Sequence, residues 1–105
     1  MSTRNPTGII VQSTPASQTA YSGQPHPQDQ VSFAASIEYS DGSVSGPIGG
    51  VQWSNGDSWV SMQGNVATCT QAAPVLILGS ILSVVTATAQ VNGKTYTASS
   101  GLYCL

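Results

Sequence analysis

An Asn-Gly pair at positions 92 and 93 separates two runs in which apolar and polar side chains alternate. Such a pair is the strongest short-range signal for a β-hairpin, because a type I′ turn needs positive φ at both central residues. A two-residue loop places Val91 opposite Lys94, and the same pairing continues to Val85 and Ser100. The segment from Ile81 to Leu102 is therefore predicted to form two adjacent antiparallel strands.

The predicted register gives the hairpin two chemically different faces, because alternate residues of a strand point to opposite sides of its sheet. The apolar face carries Val85, Ala87, Ala89, Val91, Tyr96, Ala98 and Leu102. The opposite face carries Thr86, Thr88, Gln90, Thr95, Thr97 and Ser99. One apolar face and one hydroxyl-rich face are typical of one sheet of a β-sandwich, with the apolar face turned toward a second sheet.

The rest of the chain contains further short strand patterns, separated by turn residues about every 8 to 12 residues. The clearest pattern runs from Val31 to Tyr39 and should bury its odd-numbered side chains. Pro15 interrupts the first strand, as expected for an edge strand that switches between sheets. No helical period is sustained, so the predicted fold class is all-β: an immunoglobulin-like β-sandwich of about seven strands over residues 8–105. Residues 1–7 are expected to be a linker or an expression remnant.

The composition argues against two classes of partner. Only 6% of the 105 residues are charged, and two cationic side chains leave a net charge of −2, so the chain cannot neutralise a phosphate backbone. The longest apolar stretch, Ala72 to Leu82, is interrupted by Pro74 and Gly79 and is too short to span a bilayer. We expect no nucleic-acid partner and no membrane insertion. A surface of hydroxyl and amide groups favours an exported protein.

The two cysteines, Cys69 and Cys104, suit a single disulfide in an oxidising compartment. The bond would tie the region of the fifth strand to the C-terminal end and close a loop of about 36 residues. Two buried free thiols are the alternative interpretation.

The residues that could support catalysis are few and scattered. His26, the single histidine, lies between two prolines in a predicted loop, where no Ser-His-Asp or Cys-His arrangement is indicated. The four acids are Asp29, Glu38, Asp41 and Asp57. Turn chemistry explains the last two, although loops carrying Asp41 and Asp57 could bind calcium if they met at one end of the sandwich. We expect no enzyme, no cofactor and no metal site.

Three aromatic residues, Tyr21, Trp59 and Tyr103, fall outside the clear apolar faces. They are candidate ligand-binding residues, because exposed aromatic rings offer stacking surfaces to sugars. Scattered surface aromatics are also ordinary in proteins without such a site. Trp53 alternates with Val51 on the inward face of its strand and is predicted to belong to the core.

Five short segments follow one another at suitable spacings between residues 8 and 102. They are Tyr39-Ser40-Asp41-Gly42-Ser43, Val51-Gln52-Trp53-Ser54, Gly64-Asn65-Val66-Ala67, Val85-Thr86-Ala87-Thr88-Ala89 and Asn92-Gly93. As an ordered set they resemble the bacterial immunoglobulin-like domain, group 2. The chain departs from that pattern in its long apolar segment at residues 71–80 and in its cysteine pair.

The resemblance implies a non-catalytic structural or adhesive module of a larger exported bacterial protein, either secreted or at the cell surface. Its partners would be neighbouring domains of a longer chain, together with an extracellular glycan or protein. The resemblance carries no catalytic residues. The alternative interpretation is a carbohydrate-binding module that uses the exposed aromatic residues.

Overall fold

The computed structural model describes residues 5–72, 75–76, 79–80 and 83–105. Among these, side chains are described for residues 5–72 and 83–105. The described residues form eleven strands and no helix. The strands are β1 (Pro6–Thr14), β2 (Thr19–Ala20), β3 (Gln30–Tyr39), β4 (Val44–Pro47), β5 (Gln52–Ser54), β6 (Val60–Gln63), β7 (Val66–Cys69), β8 (Val75–Leu76), β9 (Gly79–Ser80), β10 (Ser83–Val91) and β11 (Lys94–Cys104). No described residue therefore belongs to a helix long and apolar enough to cross a membrane.

The strands build two main sheets. The first sheet has the order β1-β3-β7-β6, and β4 also pairs with β3. The second sheet has the order β2-β11-β10-β5, while β8 and β9 pair only with each other. In the immunoglobulin fold strands A, B, E and D form one sheet and C, F and G the other. The observed order is this arrangement, with β2 and β4 added, so the predicted immunoglobulin-like sandwich is confirmed.

The hairpin has the predicted register. Val91 pairs with Lys94, and the ladder continues through Val85 opposite Ser100 to Ser83 opposite Leu102. Asn92 and Gly93 have φ values of 52° and 80°, which a type I′ turn requires. Ile81, the predicted start of this hairpin, and Leu82 lie outside the described residues, as does most of the long apolar segment.

The core lies between the two sheets. Phe33, Val31, Val85 and Leu102 are its largest fully buried apolar side chains, and the Phe33 and Trp53 ring centroids are 6.0 Å apart. Trp53 thus contributes to the core, as predicted.

The burial pattern of β3 follows the prediction at its first half and departs from it later. Val31, Phe33 and Ala35 are buried, whereas Ile37 is only half-buried and the even-numbered Ser36 is buried as well. The pairing with β4 changes register between Ser36 and Glu38, and an irregularity of this kind breaks strict alternation.

Pro15 ends the first strand and separates β1 in the first sheet from β2 in the second. This is the predicted switch between sheets. The short strand β2 pairs in parallel with the end of β11. Strand β1 begins at Pro6, which is two residues before the domain start predicted at Gly8.

The sandwich has two ends, which we name by their landmarks. The hairpin end holds the β10–β11 turn, the start of β1 and the end of β3. The Tyr96 hydroxyl, near the turn, donates to the carbonyl of Pro6, and Pro6 pairs with Tyr39 at the end of β3. The disulfide end holds the last residues of β7 and β11 and the first residue of β10. Pro6 and Leu105 therefore lie at opposite ends of the sandwich.

Candidate functional site

A disulfide joins Cys69 of β7 to Cys104 of β11, with the two Cα atoms 5.6 Å apart. Both residues are buried in the main core cluster, and the bond links the two sheets at one end. The predicted disulfide is confirmed, and the alternative of two free thiols is wrong. Disulfides of this kind are typical of oxidising compartments.

A small polar network lies close to the disulfide end. The Asn55 side-chain amide donates to the Ser83 hydroxyl (2.6 Å) and to the Val84 carbonyl (2.9 Å), and its oxygen accepts from the Asp57 backbone N–H (2.7 Å). The buried Ser83 hydroxyl donates in turn to the Asp57 carboxylate. Because every member bonds within the network, the arrangement fixes the loop after β5 to the start of β10.

His26 and Asp29 form the closest pair of ionisable groups in the described part of the chain. The Nδ1 atom of His26 lies 2.5 Å from Oδ1 of Asp29, and the histidine side chain is 67% exposed while the aspartate side chain is 11% exposed. A triad would require a hydroxyl or thiol at the other ring nitrogen. No hydrogen bond from such a group to His26 is present among the described residues.

The acids considered for calcium lie far apart. Asp41 is in the turn after β3, at the hairpin end, and binds the backbone N–H of Ser43 at 2.9 Å. Asp57 is at the disulfide end, where its carbonyl accepts from the N–H of Val60. The expectation that their loops could meet is wrong. Among the described residues no group of three or more His, Cys, Asp or Glu side chains is placed to hold a metal ion.

The structure brings two of the three candidate aromatics together. Ala20 and Cys104 are paired and buried, so the residues next to them, Tyr21 and Tyr103, point outward from the second sheet. Tyr21 is 52% exposed and Tyr103 42% exposed. Leu105 lies beside them, since its N–H donates to the carbonyl of Ala20. These residues form an exposed patch at the disulfide end.

Trp59, the third candidate, lies elsewhere. It precedes β6 in the first sheet and packs against the core cluster that contains the disulfide. Its indole Nε1 is buried and has no hydrogen-bond partner. The indole is thus half-buried against the core, away from the patch formed by the two tyrosines. Ligand binding by these residues remains a prediction.

A groove on the outer side of the second sheet was not predicted from the sequence. It has a volume of about 390 Å³ and is lined by Gly49, Gly50, Gln52, Thr88, Ala89, Gln90 and Thr95. The groove exists because β5 pairs with β10 only from Thr86 to Thr88. Toward the hairpin turn from Thr88, Gly49 and Gly50 border β10 in place of a paired strand. The alternation of the hairpin predicted which β10 and β11 residues would face outward, but only the short pairing of β5 reveals the concave surface.

No model of a known protein family, no curated protein sequence and no solved structure matches this chain.

Proposed function

We propose that this chain is a non-catalytic structural or adhesive module of a larger exported bacterial surface protein, of the kind that its resemblance to the bacterial immunoglobulin-like domain implies. The observation that carries the proposal is the placement of Pro6 and Leu105 at opposite ends of the sandwich. A module of this geometry can be joined to neighbours end to end, and each copy then adds its full length to a stalk.

The disulfide supports this function because of its position. Cys104 is one residue from Leu105, and its partner Cys69 lies in the other sheet. Tension applied at Pro6 and Leu105 would pass from Cys104 through the disulfide into β7. This covalent path bypasses the backbone of β10 and of β11 up to Cys104, since both lie within the closed loop.

The chemistry of the surface is consistent with the same role. Six per cent charged residues and a net charge of −2 leave polar but mostly neutral side chains to contact solvent. The buried, bonded cysteines fit an oxidising environment. Export and display at the cell surface are the parts of the proposal that need a direct test.

The test is thiol trapping in the bacterium that produces the protein. One sample of cells is lysed in denaturant that contains a maleimide polymer, with and without prior reduction, and a second sample of intact cells receives external protease. We expect the polymer to add mass only after reduction, and we expect the protease to remove the protein from intact cells. Two thiols that react without reduction, in a protein protected from protease, would overturn the proposal.

A further inference from the structure

We propose that the groove beside β5 binds a neutral polysaccharide, with Gln52, Thr88, Gln90 and Thr95 as the hydrogen-bonding residues. This inference goes beyond the structural role and does not depend on it. The groove contains none of the aromatic residues that the sequence suggested, and it lies toward the hairpin end.

The first argument is the charge of the groove. None of its seven lining residues is ionisable, and the adjoining part of the outer face of β10 and β11 continues the same chemistry with Thr86, Thr97 and Ser99. Among these lining residues an anion would find no cation to pair with, and a cation would find no carboxylate. A ligand rich in neutral hydroxyl groups is the class that such a lining can satisfy.

The second argument is the supply of hydrogen-bonding groups. Each glutamine amide offers two donors and an acceptor, and each threonine hydroxyl both donates and accepts. Among the described residues none makes a hydrogen bond to the side chains of Gln52, Thr88, Gln90 or Thr95, although the neighbouring Thr86 and Ser99 hydroxyls bond each other at 3.2 Å. The groove thus presents four side chains free to bond the hydroxyl groups of a sugar.

The third argument is the shape of the groove wall. A Cβ atom built at Gly49 or Gly50 would meet no other atom within 4 Å, so the groove is open on the side of these glycines. Gly50 has a φ of 70°, a value that favours glycine. The backbone conformation and the absence of side chains together keep the groove clear beside β10.

A peptide strand fits this surface less well than a sugar chain. In a hairpin with a two-residue loop the residues that flank the turn form a hydrogen-bonded pair, and such pairs recur at every second residue. The backbone N–H and C=O groups of Val91 and Ala89 therefore bond to β11. Those of Gln90 face the other edge of β10, where no strand is paired at this position. Since β5 already covers Thr86 to Thr88, Gln90 alone is left to bond an added strand there. Strand addition draws its affinity from a longer run of such bonds.

The face also extends past the groove. Thr95, Thr97, Ser99 and Tyr103 alternate outward along β11, which places Tyr103 about 25 Å from Thr95 at the usual rise of a strand. A polysaccharide seated in the groove and aligned with β11 would reach the exposed ring of Tyr103. The groove residues would then bond its hydroxyls, and the tyrosine would stack on a sugar further along.

The test is a titration of the ¹⁵N-labelled chain with soluble neutral hexasaccharides of glucose, xylose and mannose, and with an anionic hexauronate. We expect at least one neutral sugar to shift the amide signals of Gln52, Thr88, Gln90 and Thr95, and we expect the hexauronate to shift none of them. Silence with all the neutral sugars would overturn the proposal. Shifts confined to Tyr21 and Tyr103, or equal shifts with the hexauronate, would do the same.

Three variants define the site. Thr88→Val removes one hydroxyl at nearly constant shape and should weaken binding about five- to tenfold, as expected for one lost hydrogen bond. Gly49→Leu should abolish binding by filling the groove, and the open space around this glycine allows the fold to accept it. The matched control for Gln52→Ala is Gln63→Ala, which removes an exposed glutamine of β6 in the other sheet. Unchanged affinity in the three groove variants would contradict the assignment.

Discussion

Cys69 and Cys104 are 35 residues apart in the chain, lie in different sheets, and have their Cα atoms 5.6 Å apart across the core. In the chain-entropy account the bond stabilises the fold by restricting the unfolded chain, and a loop of this length corresponds to about 3 to 4 kcal/mol. The link between the sheets therefore sets much of the stability of this small domain.

Removal of the disulfide should lower stability without changing the fold. The double variant Cys69→Ala/Cys104→Ala is expected to lose about 3 to 4 kcal/mol of unfolding free energy. Urea unfolding followed by tryptophan fluorescence measures the loss. For comparison, the wild type is measured with its disulfide intact and again after reduction. A variant as stable as the oxidised protein would contradict this role for the bond.

Truncation of Leu102 should be among the most damaging single changes in the described core. The residue is fully buried on β11, and Leu→Ala substitutions at such positions cost about 2 to 5 kcal/mol through lost burial and the cavity left behind. Thermal unfolding of Leu102→Ala measures the effect. Val84→Ala on the paired strand is the control, because Val84 is 49% exposed and should change stability by less than about 0.5 kcal/mol. Similar losses in both variants would mean that the two faces of the hairpin are assigned wrongly.

Gly93 should resist substitution because of its backbone conformation. Its φ is 80°, and an L-residue held in the left-handed region costs roughly 1 to 2 kcal/mol. Gly93→Ala is therefore expected to destabilise the protein by that amount in urea unfolding. Gly46 in β4 has no positive φ, and a Cβ there meets nothing within 4 Å. Gly46→Ala should be neutral or slightly stabilising, and the reverse order of the two variants would refute the type I′ turn.

Trp59 should matter for stability and not for sugar binding. Trp59→Ala is expected to cost about 2 to 3 kcal/mol, which is below the range for a fully buried ring because part of the indole is exposed. Trp59→Phe should cost less than about 1 kcal/mol, since it also removes a buried N–H that has no partner. Urea unfolding gives both values. Loss of glycan binding in a folded Trp59→Phe variant would show that the ring contacts a ligand directly.

The sequence predicted the central hairpin in detail because its signals are local. The Asn-Gly turn fixes the pairing of Val91 with Lys94, and strict alternation then assigns each side chain to a face. The same reasoning found the switch between sheets at Pro15 and placed Trp53 in the core. It also identified the two cysteines as a pair.

The features that sequence reasoning missed depend on contacts between distant segments. Strand β2 has only two residues and exists because the end of β11 lies beside it. Strand β4 pairs with β3 at only two positions, with a change of register between them, and leaves no periodic pattern in the chain. The groove depends on where β5 stops along β10, which no local signal in either strand reports. Trp59 lacks a clear alternating partner, so its contact with the core was visible only in the structure.

The central claim is that this chain holds its two ends apart and passes tension through the disulfide. Single-molecule force spectroscopy with handles at the two termini tests it most directly, by comparing the increase in length on unfolding in oxidised and reduced protein. We predict a discrete unfolding event in both, with the reduced protein extending about 120 Å further, the length of 35 extended residues. Equal extension in the two states, or extension without a resolvable unfolding force, would contradict the account.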